Sequence, residues 1–168
     1  RCSRDWSSDV CSSDLTRTAV RRVYAWMPVL AFELPRGTPG ADQRLQTQPS
    51  SNGHLTMGYP RLSPFSAAAM GTVRGLYADL ARSASFDGLL FHDDVTMSDY
   101  EDASPAALKQ YRAWGLPTDL AAIRASDALL GAWTNRKTAA LEALTLQLAQ
   151  VVRANQPQLR TARNLYAQ

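Results

Sequence analysis

The stretch that decides the reading is FDGLLFHDDVTMSDYEDASP, residues 86–105. Its first seven residues are a short apolar run broken by one glycine, which reads as a strand. It ends with Ser104 ahead of Pro105, the N-cap and first-turn pair that starts a helix. Between them stand Asp87, Asp93, Asp94, Asp99, Glu101 and Asp102, and no Lys or Arg falls in the window 86–103. The chain of 168 residues carries a formal net charge of +3, so this acidity is a local departure from a basic background. Ligands of α/β folds collect at the carboxyl ends of parallel strands, which is where this loop would lie. A solvated acidic loop with helix caps is the competing reading of the same residues.

Working outward, the pattern alternates. Residues 20–32, VRRVYAWMPVLAF, read as a buried strand running into a loop near Pro28. A long Pro-, Gly- and Ser-rich loop follows to about Pro64, and loops of that length are usually functional or flexible. Residues 66–83 predict a helix, with Val73, Leu76, Tyr77 and Leu80 on one apolar face. Downstream come a helix from Ser104 to about Trp114, a short helical stretch over 119–130, and a longer helix capped by Thr134 and ending near Ala154. Its apolar side holds Leu141, Leu144, Leu148, Val151 and Val152. Residues 160–166 then predict a third strand. Strand, helix, strand, helices, strand is the order of an α/β fold with a parallel sheet. A TIM-type (β/α) barrel takes ~250 residues, so the pattern reads as a partial barrel, roughly half of the domain.

Strand alternation assigns faces to residues 86–94. Leu89 and Phe91 share the helix-packing face. Gly88, Leu90 and His92 share the other, with Asp94 next in phase. On that basis Asp94 is expected to point into a pocket mouth as the main catalytic carboxylate, with Asp93 beside it, turned toward the loops as a supporting or substrate-binding group. His92, Asp99, Glu101 and Asp102 are candidate substrate contacts, and His92 also reads as a hydrogen-bonded core residue. Trp26 is a candidate sugar platform. Tyr24, Trp114 and Trp133 are alternatives, and each of these rings also reads as core. Arg163 and Asn164 end the third strand as candidate sugar contacts or as a buried polar pair.

Several classes lose their support. There is no HExxH spacing, and His54 lies in a loop far from His92, so no metal or cofactor is expected. There is no GxSxG elbow, GxGxxG fingerprint or P-loop. No block of Lys or Arg suggests nucleic acid. No stretch approaches the ~20 apolar residues of a membrane span. Paired carboxylates without a metal motif are the equipment of glycosidic bond cleavage. Residues 1–15, RCSRDWSSDVCSSDL, lack any periodicity. They resemble translated sequencing-adapter read-through and are set aside from fold reasoning, with a native disordered tail as the alternative. Both cysteines, Cys2 and Cys11, lie there. Setting the segment aside removes two arginines and three aspartates, which takes the net charge from +3 to +4.

The motifs VYAWMPVL, YPRLSPF, FDGLLFHDD with SDYEDASP, WTNRKTAAL and TARNLYA occur in this order. Together they resemble the C-terminal glycoside-hydrolase domain of PgaB-type poly-β-1,6-N-acetylglucosamine deacetylases, over about residues 19–167. The resemblance implies a barrel with an acidic groove that binds and cleaves the partially deacetylated polymer. It implies that Asp94, beside Asp93, matches the carboxylate assigned to catalysis. It also implies a periplasmic, outer-membrane-anchored parent protein and an outer-membrane export porin as partner. A non-cleaving polysaccharide-binding domain that assists the deacetylase, or an inactive truncated fragment, would display the same acids.

Overall fold

The computed structural model describes residues 21–48 and 59–164. Residues 1–15, His54 and Tyr166 lie outside the described residues. Seven elements follow in order: β1 (Tyr24–Met27), α1 (Ala67–Ser83), β2 (Gly88–Phe91), α2 (Pro105–Ala113), α3 (Leu120–Arg124), α4 (Asp127–Arg153) and β3 (Arg160–Arg163). The three strands form one parallel sheet in the order β1-β2-β3. Tyr24 pairs with Gly88 and Met27 with Phe91, while Phe91 pairs with Arg163 across the other edge.

The helix starts follow from their caps. Ser66 accepts from the Ala69 amide, Ser104 from Ala107 with Pro105 in the first turn, and Ser126 from Leu129. The last of these corrects an expectation. The long helix begins at Asp127, so Thr134 lies inside it. Ser126 supplies the cap and Asp127 a negative charge in the first turn, where the helix dipole favours one. The first strand is also shorter than its apolar run. It stops at Met27 because the amides of Val29, Leu30 and Ala31 turn to a side-chain acceptor instead of a neighbouring strand.

Packing divides into two clusters. The larger joins the sheet to α1 and to the later turns of α4, with Leu89, Phe91, Val73, Tyr77, Leu144 and Leu148 buried in it. The face of α1 is turned slightly from the expected one. Ala69, Val73, Tyr77 and Ala81 form the buried stripe, and Leu76 is exposed. The second cluster holds Tyr111, Leu120, Ile123 and Trp133, where α2 and α3 pack on the first turns of α4. Gly88 is fixed by its neighbour across the sheet, because a Cβ there would lie 2.1 Å from the Tyr24 ring. Among the described residues, no helix is long and apolar enough to cross a membrane.

Candidate active site

The carboxyl ends of β1 and β2 meet at a buried anion. Asp94 is 0% exposed, and its carboxylate accepts from the amides of Val29 (2.9 Å), Leu30 (2.6 Å) and Ala31 (2.6 Å). Three consecutive donors converge on one charge, so the loop after β1 is held in a single shape. This corrects the expectation that Asp94 points into the pocket mouth. The alternation behind that expectation ends with β2 at Phe91. The His92 amide still bonds to the Met27 carbonyl, but Asp93 and Asp94 form a turn, and the phase is lost.

Asp93 takes the more open position. Its side chain keeps 10% exposure, and its Oδ1 lies 2.8 Å from His92 Nδ1. The two atoms are not aligned as a hydrogen bond, and the same Nδ1 lies 3.7 Å from Asp94 Oδ1. An imidazole beside a carboxylate at that distance can present its Nδ1–H to the oxygen after a small rotation.

His92 in turn lines a cleft of about 610 Å³ together with Trp26, Pro28, Glu33, Tyr59 and Pro60. Trp26 is 60% exposed and stacks on the His92 ring at 5.2 Å and 27°. Tyr59 is 52% exposed and meets His92 edge-on at 6.3 Å. Partial burial raises the Tyr59 phenol above its ordinary value, and the charges of Asp94 and Asp93 add to this while Arg61 opposes it. The result is an exposed, largely aromatic surface beside a carboxyl and an imidazole. Flat rings with polar rims are suited to stacking a sugar and directing its hydroxyls.

The later acids form a separate, buried hub. Asp102 accepts from the Gln46 amide (2.9 Å), the Ser104 amide (2.8 Å) and the Ser63 hydroxyl (2.6 Å). Glu101 accepts from Arg61 at 2.7 Å and from the Ser98 amide at 2.9 Å. Burial alone would raise the Glu101 carboxyl, but the Ser98 amide and the Arg61 guanidinium outweigh it and hold the group below the usual carboxylate value. Lys137 lies beneath, with Nζ donating to the carbonyls of Ser98 (2.6 Å) and Glu101 (2.9 Å) and resting 3.4 Å from the Trp133 ring centre. Burial pushes this ammonium down to about 8, against the pull of Asp99, Glu101 and Asp102.

Glu101 and Asp102 are therefore corrected from substrate contacts to loop anchors, because their oxygens are already filled by internal donors. Asp99 is exposed on the hub, where its carbonyl accepts from Arg124 at 3.3 Å, and it does not line the cleft. Arg163 is corrected as well. It pairs in register with Phe91, so it faces the helices, and it donates to the Val95 carbonyl at 2.9 Å. The Asn164 amide donates to the Phe91 carbonyl at 3.0 Å, and the residue is exposed. Trp133 is fully buried, and Trp114 packs beside Tyr111, so both belong to the core.

Glu33 and Tyr59 were missed. Both come from the long loop, which has no periodicity to assign a face. The only signal was that loop's length and, for Tyr59, its place at the head of YPRLSPF. Among the described residues, no group of three or more His, Cys, Asp or Glu side chains is arranged to hold a metal.

A parallel sheet with an aromatic-lined cleft at the carboxyl ends of its strands is an α/β architecture of the kind that carries its ligand site there. Residues 4–168 match the family described as hypothetical glycosyl hydrolase family 13, and the chain belongs to that family. It is similar to the solved PgaB (BpsB) glycoside hydrolase domain from Bordetella bronchiseptica. That match has a TM-score of 0.81 at 45% identity and covers 88% of this chain and 42% of that one. It is also 40% identical, over 159 residues, to poly-beta-1,6-N-acetyl-D-glucosamine N-deacetylases from two Escherichia coli strains. The chain spans about 22% of the length of these curated relatives, and the match takes in 90% of the chain.

Proposed function

We propose that this chain is part of a (β/α)-barrel glycoside hydrolase domain that cleaves partially deacetylated poly-β-1,6-N-acetylglucosamine. The observation that carries the reading is the cleft itself: an exposed Trp26 platform against His92, whose Nδ1 lies 2.8 Å from Asp93 Oδ1. A sugar ring stacked there would bring its glycosidic oxygen to a proton source. Asp93 is the catalytic acid in this reading, with His92 as the other half of the pair. Asp94 serves as a positioning residue by holding the loop that forms one cleft wall. Asn164, in phase with the cleft-facing side of β2 and β3, is a proposed rim contact. By resemblance, the parent protein works in the periplasm at the outer membrane beside an export porin.

The test incubates the protein carrying this domain with partially deacetylated polymer and follows product length. Shorter oligomers that accumulate with time support the hydrolase. Polymer that is bound but never shortened supports a non-cleaving binding module instead.

A further inference from the structure

Glycosidic cleavage uses two groups on opposite sides of the reacting carbon. One protonates the departing oxygen. The other takes a proton from the attacking water or bonds to the carbon itself. The Asp93–His92 pair accounts for the first. The remaining acids of the 86–103 loop do not account for the second. Asp94 and Asp102 have their oxygens filled by amides and hydroxyls, and Glu101 is held by Arg61 and Ser98. Asp87 lies just before β2, at the other end of the sheet, and accepts from the Val23 amide at 2.7 Å. Asp99 stands on the hub, away from the cleft.

The carboxylate that does line the cleft comes from a different segment. Glu33 follows the turn after β1 and shares the cleft with His92 and Trp26. We propose that Glu33 is the second catalytic carboxylate, the base that activates the attacking water. Its neighbours fix its direction. Phe32 and Leu34 both pack against the sheet core, which leaves the intervening Glu33 exposed. The Phe32 amide donates to the Leu30 carbonyl at 2.9 Å, and the Phe32 carbonyl accepts from Arg44 at 2.8 Å. Leu30 and Ala31 are tied to Asp94. Among the described residues, no Lys or Arg pairs with Glu33. An exposed carboxylate, without an ion-pair partner among the described residues, thus sits on an anchored loop that lines the cleft.

The step balances. Water attacks the anomeric carbon and passes a proton to Glu33. The carbon–oxygen bond breaks with its electron pair on the departing oxygen, which takes a proton from Asp93, the acid of the proposed function. The two carboxyl groups then exchange protons with solvent and return to their starting states. The product anomer is inverted.

This assignment rests on the hydrolase reading, and the experiment separates the two. Glu33→Gln is made in the full chain carrying this domain and assayed on the same polymer beside wild type. The expected result is a kcat loss of about 10²-fold or more. KM and the thermal melt should stay near wild type, and sodium azide should restore turnover by forming a glycosyl azide. A variant that cuts at the wild-type rate, or whose loss azide does not repair, overturns the assignment while wild-type cutting keeps the hydrolase reading intact. A wild-type protein that cuts nothing overturns both.

Discussion

The hub at Glu101 and Asp102 and the cleft edge at His92, with Asp93 next to it, are built from one acid-rich loop, but their carboxylates meet different surroundings. At the hub, amides, hydroxyls and a guanidinium fill the carboxylate oxygens. Asp93 has the His92 imidazole beside it, and exposed aromatic rings meet that imidazole by stack and edge. Asp94 belongs with the hub in its chemistry although it adjoins Asp93 in sequence. A saturated buried carboxylate holds backbone in place. A carboxyl with one partner and some solvent can exchange a proton. Partner count therefore separates structural from reactive acids more sharply than position in the sequence does.

Substitutions can break this contrast if it is wrong. The largest effect is expected on activity. Asp93→Asn should lower cleavage by roughly 10²–10⁴-fold, measured as the initial rate of oligomer release, with the melt shifted by less than about 1 kcal/mol. Asp94→Ala should do most of its harm through stability. It leaves three amides without their acceptor, a loss on the order of 3–5 kcal/mol by denaturant titration. Asp102→Ala should resemble Asp94→Ala, because its donors are similarly enclosed. Trp26→Ala should weaken polymer binding by about 1 kcal/mol in calorimetry and leave the melt nearly unchanged, since the ring is mostly exposed.

The smallest effect is in pH dependence, and the hub sets its sign. Glu101 titrates lower when folded than its ordinary value of 4.5. It therefore adds stability above that pH, and the contribution is lost as pH falls through the folded value. Lys137 titrates at about 8 when folded, against 10.5 when free. The unfolded chain binds the extra proton between those values, so stability should rise from pH 8 toward 10.5, by at most about 1 kcal/mol per pH unit. Melts of wild type and Lys137→Met across that range check the slope, which the variant should lack.

Much of the frame is legible in local sequence. The apolar run before His92 fixes β2, and Ser104 with Pro105 fixes the start of α2, because caps and short strands depend on neighbours a few residues away. The parallel order of β1, β2 and β3 follows from the alternation of elements. The site was less legible. Period-2 alternation extended past the end of β2 puts Asp94 in the cleft, whereas the turn there hands its carboxylate to the amides of Val29, Leu30 and Ala31. The donors that bury Asp94 and Asp102 come from other segments, 64 residues away for Leu30 and 39 for Ser63. No local pattern in the acid-rich stretch announces them. Glu33 was hidden for the same reason, in a loop whose shape is set by Asp94 from the next strand. Trp133 shows the reverse case: an aromatic on the amphipathic α4 turned out to be core, as the blander reading of such rings holds.

The most direct test compares cleavage per folded molecule for Asp93→Asn and Asp94→Asn, with the folded fraction of each fixed by its own melt. The account predicts that Asp93→Asn stays folded and nearly inactive, while Asp94→Asn is strongly destabilised but keeps a substantial rate in whatever fraction folds. A stable, inactive Asp94→Asn beside an active Asp93→Asn would contradict it.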